Sequence, residues 1–228
     1  MSMKGNGTAA LREIDSHEAG VGWLAYPDEQ MQRASHAVVH DGEVWVLDPV
    51  DAPGVDDLLA ELDGDVAGVV TCLDRHKRDG AALARRHDVS VYVPDWMTGV
   101  ESDVDAPVER FGPTLTEGVR TITVRDSSLP LPWQEAALLF ESSGTLYVPE
   151  ALGNAEYMVT AEERIGVHPA LRLVPPRSAL SGLDPEHVVV GHGPGVHDDA
   201  ARAVADALAS ARGNTLSLYG KAAKSFLG

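Results

Sequence analysis

Residues 66–94, VAGVVTCLDRHKRDGAALARRHDVSVYVP, constrain the fold more than any other stretch of this chain. VAGVVT (66–71) is a continuous apolar run, as expected of a strand covered on both faces. VSVYVP (89–94) is a second β run, and RDGAALARRH (78–87) between them has helical spacing. Strand, helix, strand at this separation is a βαβ unit. Its loop holds Asp74, His76 and Asp79 together, where the first strand ends.

The elements on either side extend this pattern. Val21–Tyr26 reads as a short strand, and HAVVHDGEVWVLDPVD (36–51) as a hairpin turning at Asp41-Gly42. DDLLAEL (56–62) has helical spacing after Pro53-Gly54. GVRTITV (118–124), a hairpin within 135–152 turning at Ser143-Gly144, and EHVVVGHGPG (186–195) supply more strands. DDAARAVADALASAR (198–212) is an amphipathic helix with Asp198 and Asp199 at its N-terminus, where carboxylates are favoured. The expectation is an α/β fold in a single domain, 1–228, with 1–20 an N-terminal extension and 213–228 a C-terminal tail.

Composition narrows the setting. The 44% hydrophobic content suffices for a core, and no apolar run approaches the roughly 20 residues that span a bilayer. The first twenty residues lack the apolar segment of a secretion signal, and a lone cysteine, Cys72, suits a reducing compartment, so a cytoplasmic location is expected. Net charge is −17, and lysine occurs only at positions 4, 77, 221 and 224. This composition resembles that of proteins from extremely salt-loving microbes, and it points to a halophilic archaeon. So negative a field disfavours nucleic acid and anionic membrane as partners. A small-molecule substrate and a homodimer stay open.

Three stretches carry a resemblance to the metallo-β-lactamase-fold superfamily, and it extends from about Trp23 to the 198–212 helix. VVHDGEVWVLDPVDAP resembles the family's early hairpin ending in an aspartate, here Asp48. VVTCLDRHKRDGAALARRHDVSVYVP resembles its strand ending in T-H-x-H-x-D-H with the following helix and strand, and LDPEHVVVGHGPG resembles its late strand ending in G-H-G. The resemblance implies an αββα four-layer sandwich with mixed sheets. It also implies a cleft where histidines and carboxylates hold one or two metal ions, which activate water and polarise a substrate.

The motif itself is altered. Aligned on Thr71, its ligand positions fall on Cys72, Asp74, His76 and Lys77; slid by two, they fall on Asp74, His76, Arg78 and Asp79. A third histidine expected near Leu131 is missing, Glu150 stands where the family has a bridging aspartate, and His192 keeps the last position. The resemblance thus implies Asp74, His76, Asp79, Glu150 and His192 as ligands of at most one ion, zinc, manganese or iron, with Asp79 or Glu150 as general base. It equally allows no metal, with Arg75, Lys77 or Arg78 folded inward against the carboxylates.

The remaining candidates have plainer readings. Asp74, His76 and Asp79 suit an ordinary turn and helix start, and Cys72 a small buried hydrophobe. His36, His40, His87, His168 and His187 read as structural or exposed, His197 as a helix-capping surface residue, and Trp133 as packing. No nucleophile elbow, Walker loop or dinucleotide fingerprint is present. Two functions follow: a one-metal hydrolase acting on an ester, thioester or phosphoester, or a metal-free binding or scaffold protein that keeps the fold without the chemistry.

Overall fold

The computed structural model describes residues 3–5, 7–129 and 131–227, with 222–227 as backbone. A first sheet runs β1 (Arg12–His17), β2 (Gly20–Leu24), β3 (Ala34–His40), β4 (Glu43–Leu47), β5 (Asp65–Val70), β6 (Val91–Pro94) and β7 (Val108–Phe111), neighbours in that order. α1 (Val55–Ala60) and α2 (Gly80–Arg86) are crossovers within it, and β4, β5, β6 and β7 are parallel. The second sheet contains β8 (Thr114–Thr116), β9 (Val119–Ser127), β10 (Trp133–Phe140) and β11 (Thr145–Val148). After a small ribbon of β12 (Leu152–Gly153) and β13 (Gly166–Val167) and the short α3 (Arg177–Leu180), β14 (His187–Val190) joins this sheet parallel to β11. α4 (Ala200–Ser210) and α5 (Thr215–Leu227) end the chain.

Side-chain alternation along the strands builds the layers, because successive residues face opposite sides of a sheet. Val44, Val46 and Val69 point outward and pack under Leu58, Leu59, Leu83 and Ala84 of α1 and α2. Trp45, Leu47 and Val70 point inward and meet Leu138, Phe140, Tyr147 and Val189 from the second sheet. Leu146, Val148, Val188 and Val190 face the far side and are covered by Ala203, Val204, Ala207 and Leu208 of α4. Helix, sheet, sheet, helix is the resulting order, as expected.

The βαβ unit and both hairpins form where the sequence places them. Asp41 and Gly42 take positive φ, 51° and 77°, the conformation of the tight turn that Asp-Gly favours. Residues 12–17, expected within an N-terminal extension, instead form β1, the edge strand of the first sheet. Part of the expected tail, Thr215–Leu227, is helical. Asp199 precedes α4 at φ 51° and makes no side-chain capping bond, so its contribution is charge alone. Among the described residues no helix is long and apolar enough to cross a membrane.

Candidate metal centre

The two parallel strand pairs, β4 with β5 and β11 with β14, send their C-terminal loops to one place. Asp48 follows β4, residues 71–78 follow β5, Glu150 follows β11, and His192 follows β14. Two glycines make the last approach possible. A Cβ on Gly191 would sit 2.1 Å from the Pro149 carbonyl oxygen, and one on Gly193, whose φ is 81°, would sit 2.6 Å from the Ala155 nitrogen.

Glu150 is the centre of the cluster. Its Oε2 lies 3.0 Å from His76 Nε2 and 3.2 Å from His192 Nε2. One donor atom each from His76, Glu150 and His192 fall within 4.8 Å of one another. All three side chains are buried: His192 is 0% exposed, His76 5% and Glu150 7%.

Hydrogen bonds on the outer side of each ring decide which nitrogen holds the proton. His192 Nδ1 lies 2.8 Å from the Met31 carbonyl oxygen, and His76 Nδ1 lies 3.2 Å from Asp48 Oδ2. Only an N–H can bond to either acceptor, so both Nδ1 atoms donate. A neutral ring then presents an Nε2 lone pair to the carboxylate. Burial pushes the His192 pKa below the ordinary value, outweighing the attraction of Glu150, which favours the neutral ring. Lone pairs from two imidazoles facing one carboxylate oxygen are mutually repulsive until a cation lies between them. This donor set, with outer partners fixing both tautomers, fits a borderline divalent ion.

His168 completes the support. Its Nδ1 accepts from Ala170 N–H at 3.2 Å, so its Nε2 carries the proton and donates to Glu150 Oε1 at 3.3 Å. Burial pushes this histidine down to about 4, which keeps the ring neutral in that role. Burial pushes the Glu150 carboxyl upward, and only protons on the His76 and His192 Nε2 atoms would outweigh it and hold the group below its usual range; with the protons on Nδ1, a cation takes that part. Asp48 is fully buried, and it accepts Cys72 N–H at 2.9 Å and the Tyr147 hydroxyl at 2.7 Å besides His76.

Beneath the cluster, Glu135 accepts the backbone N–H groups of Glu150 and Ala151, each at 2.8 Å, and the Trp133 indole N–H at 2.6 Å. Burial pushes its carboxyl up to about 7 against these three donors. A carboxyl raised in this way contributes stability that is complete below its unfolded value and is lost as pH rises through about 7. The expected result is that the stability advantage of the wild type over Glu135→Gln shrinks between pH 5 and 8 in urea unfolding. An advantage that does not vary with pH would count against this assignment.

The other expected ligands lie elsewhere. Asp74 pairs with Arg75 at 3.3 Å near the surface. Asp79 sits exposed at the N-cap of α2, where its Oδ2 accepts Asp51 N–H at 2.9 Å. Neither touches the cluster, because the loop after β5 turns only His76 and Arg78 inward; the ordinary turn-and-helix-start reading describes both aspartates. Leu131 is exposed near the β9–β10 turn. Cys72 is buried, and burial with the charges of Asp48 and Glu135 pushes its thiol upward, so it is no nucleophile.

Of the three basic residues only Arg78 folds inward, and it pairs with no carboxylate. Its guanidinium donates to the carbonyl oxygens of Ala34 at 2.6 Å, Asp48 at 2.8 Å and Gly191 at 3.1 Å, bracing three loops. Its Nη2 also lies 3.3 Å from His76 Nε2. Arg75 lies over the Trp133 ring at 4.1 Å, and Lys77 pairs with Asp103. Sequence reasoning missed His168, Glu135 and the Met31 carbonyl. The first two have no spacing that marks them, and the third is backbone.

No protein-family model matches the sequence, and no curated protein matches it. Solved structures do. DIM-1 metallo-β-lactamase exposed to ceftazidime superposes with a TM-score of 0.57 at 12% identity, over 90% of this chain and 100% of the other. FIM-1 metallo-β-lactamase from Pseudomonas aeruginosa in its mono-zinc form gives 0.56 at 10% identity, over 90% and 97%. The fold is that of the metallo-β-lactamases. A chemotaxis sensor, ODP, solved as a peroxy diiron species, is also similar, with a TM-score of 0.51 at 12% identity over 89% and 94%. Chains this distant share the metallo-β-lactamase fold with the present one. The chemistry has to be read from its own side chains.

Proposed function

We propose that this chain is a metallo-β-lactamase-fold hydrolase that works with a single divalent ion held by His76, Glu150 and His192. The observation that carries this reading is the orientation of the two imidazoles. Both Nδ1–H groups are committed outward, and both Nε2 atoms converge on one oxygen of Glu150. Two histidines and one carboxylate with a further position left open is a ligand set that catalytic zinc uses. FIM-1 is a protein of this fold solved with one zinc, and ODP is one solved with iron, so zinc leads and iron or manganese follows.

A bound ion there supplies Lewis acidity, for activating water and for polarising the carbonyl or phosphoryl oxygen of an ester, thioester or phosphoester. The protein's own groups do the rest. Asp48 and the Met31 carbonyl hold the rings, His168 fixes the free oxygen of Glu150, and Glu135 anchors the peptide that carries it. Of the two expected general bases, Asp79 faces away, and Glu150 has both oxygens engaged, Oε2 by the two rings and Oε1 by His168. The test is hydrolysis of p-nitrophenyl acetate, an acyl thioester and bis-p-nitrophenyl phosphate in molar KCl, with and without chelator. Turnover of at least one, lost with chelator and restored by zinc or manganese, is expected. His168→Ala is expected to weaken the metal about 10–100-fold, as loss of an outer partner does.

One observation favours the metal-free scaffold instead. Arg78 Nη2 lies against His76 Nε2, so a guanidinium already satisfies one of the two lone pairs. On that reading all three substrates go unhydrolysed, no ion co-purifies, and Arg78→Ala destabilises the fold while leaving nothing catalytic to lose.

A further inference from the structure

A second group of imidazoles lies where the two sheets meet at their edges. His17 ends β1, the edge strand of the first sheet, and His187 begins β14, the edge strand of the second. His197 follows β14; the bridge between Val188 and Val196, closed by bonds of 2.9 Å and 2.8 Å, sets it beside His187. His187 Nδ1 and His197 Nδ1 are 3.2 Å apart. Ring centres are separated by 4.5 Å for His17 and His187, 5.2 Å for His187 and His197, and 5.4 Å for His17 and His197.

The His187–His197 nitrogen separation and the two tilted ring pairs have the spacing of imidazoles sharing one ion, while His17 lies nearly flat on His187, at 21°, and rotates before its nitrogen joins them. Nitrogens held tetrahedrally at about 2.0 Å lie about 3.3 Å apart, and their ring centres about 5 Å apart. An outer partner is also in place. Asp15 Oδ1 lies 3.2 Å from His197 Nε2 and accepts Gly195 N–H at 2.7 Å. The carboxylate thus holds the His197 proton on Nε2 and frees the Nδ1 lone pair that faces His187. Asp15 does this from φ 54°, a left-handed backbone that aspartate tolerates better than most residues. Its other oxygen, Oδ2, is buried with no hydrogen-bond partner and lies 4.0 Å from His36 Nδ1.

We propose that His17, His187 and His197 form a second metal site, for a borderline divalent ion of the zinc and nickel class, which staples the edge of one sheet to the edge of the other. Imidazole donors select such ions over magnesium and calcium. On binding, His187 moves its proton from Nδ1 to Nε2. His17 turns out of its stack and moves its proton from Nε2 to Nδ1, giving up the 3.2 Å bond it accepts from Ala19 N–H, and no net proton is released. The site does not rest on the function proposed above, since none of its residues touches Glu150.

Zinc alone is the probe. The full chain, freed of metal by dialysis against chelator, is titrated with ZnCl2 by calorimetry, and its thermal midpoint is recorded. Wild type, His187→Gln, His17→Gln and Asp15→Asn are compared, with circular dichroism to confirm folding. Wild type is expected to take two equivalents and each histidine variant one, with part of the zinc-dependent rise in midpoint lost. Asp15→Asn is expected to keep both equivalents, one of them weakened about 10–100-fold. MgCl2 is expected to reproduce none of this. A second equivalent retained by either histidine variant overturns the proposal, as does a wild type that takes one equivalent which both variants keep. A single equivalent lost in both variants supports this site and sinks the central one.

Discussion

Replacing His192 by alanine is expected to remove the ion from the central site, lowering its zinc affinity roughly 100-fold or more, beyond the 10–100-fold typical of losing an outer partner. The reason lies in what the ring does from a fully buried position. It supplies one of two imidazole nitrogens, and no other described side chain stands ready to replace it. Its Nδ1 bond to the Met31 carbonyl is lost as well, while backbone bonds from Gly193 N–H to Gln32 and from Ala34 N–H to Gly191 keep the loop before β3 in place. Equilibrium dialysis against a competing chelator, with the His187→Gln background removing the second ion, gives the affinity. Zinc held equally tightly by His192→Ala would mean that the ligands are elsewhere. His76→Ala is expected to behave alike, since the two rings play matching parts around one oxygen.

The largest effect on stability is expected from Glu163→Ala, about 3–5 kcal/mol in urea unfolding, because it strands a buried cation. Arg172 is completely buried. Its guanidinium donates to Glu163 at 2.9 Å and 2.8 Å and to the Met158 carbonyl at 2.6 Å. Glu163 in turn accepts Thr160 N–H at 2.8 Å and the Asn214 amide at 3.0 Å. Burial pushes the Glu163 carboxyl upward, but the Arg172 bonds and the other donors outweigh it and hold the group below its usual range. The stability it adds is therefore present above the ordinary carboxylate pKa and is lost as pH falls through the lowered one. The pair also anchors the segment that carries His168, so Glu163→Ala is expected to weaken metal binding in parallel. Replacing both partners by leucine is expected to recover much of the loss, as removal of a whole buried pair commonly does. A loss under about 1 kcal/mol in Glu163→Ala would show that water reaches Arg172.

What the sequence discloses and what it hides separate along physical lines. Strands 66–71 and 36–47 announce themselves through apolar runs and an Asp-Gly turn, signals that are local and do not depend on the rest of the chain. β1 is hidden because REIDSH is an exposed edge with little to bury. His76, Glu150 and His192 are legible through their places at strand ends within a known frame, and the structure brings them together. Asp74 and Asp79 sit in the same loop, yet which way each side chain leaves it depends on backbone angles such as φ 40° at Arg78, which no spacing rule foretells. His168 is out of view because it approaches from a distant turn; the inward turn of Arg78 is among the expectations, but its partners are carbonyl oxygens rather than the carboxylates its charge suggests.

The central claim is that one divalent ion lies among His76 Nε2, Glu150 Oε2 and His192 Nε2. Anomalous diffraction at the zinc edge, from crystals of the protein grown with one equivalent of ZnCl2 on the His187→Gln background, addresses it directly. A single strong peak bounded by those three atoms is expected, with Arg78 drawn back from His76. Arg78 still against His76, with no peak among the three, would contradict it.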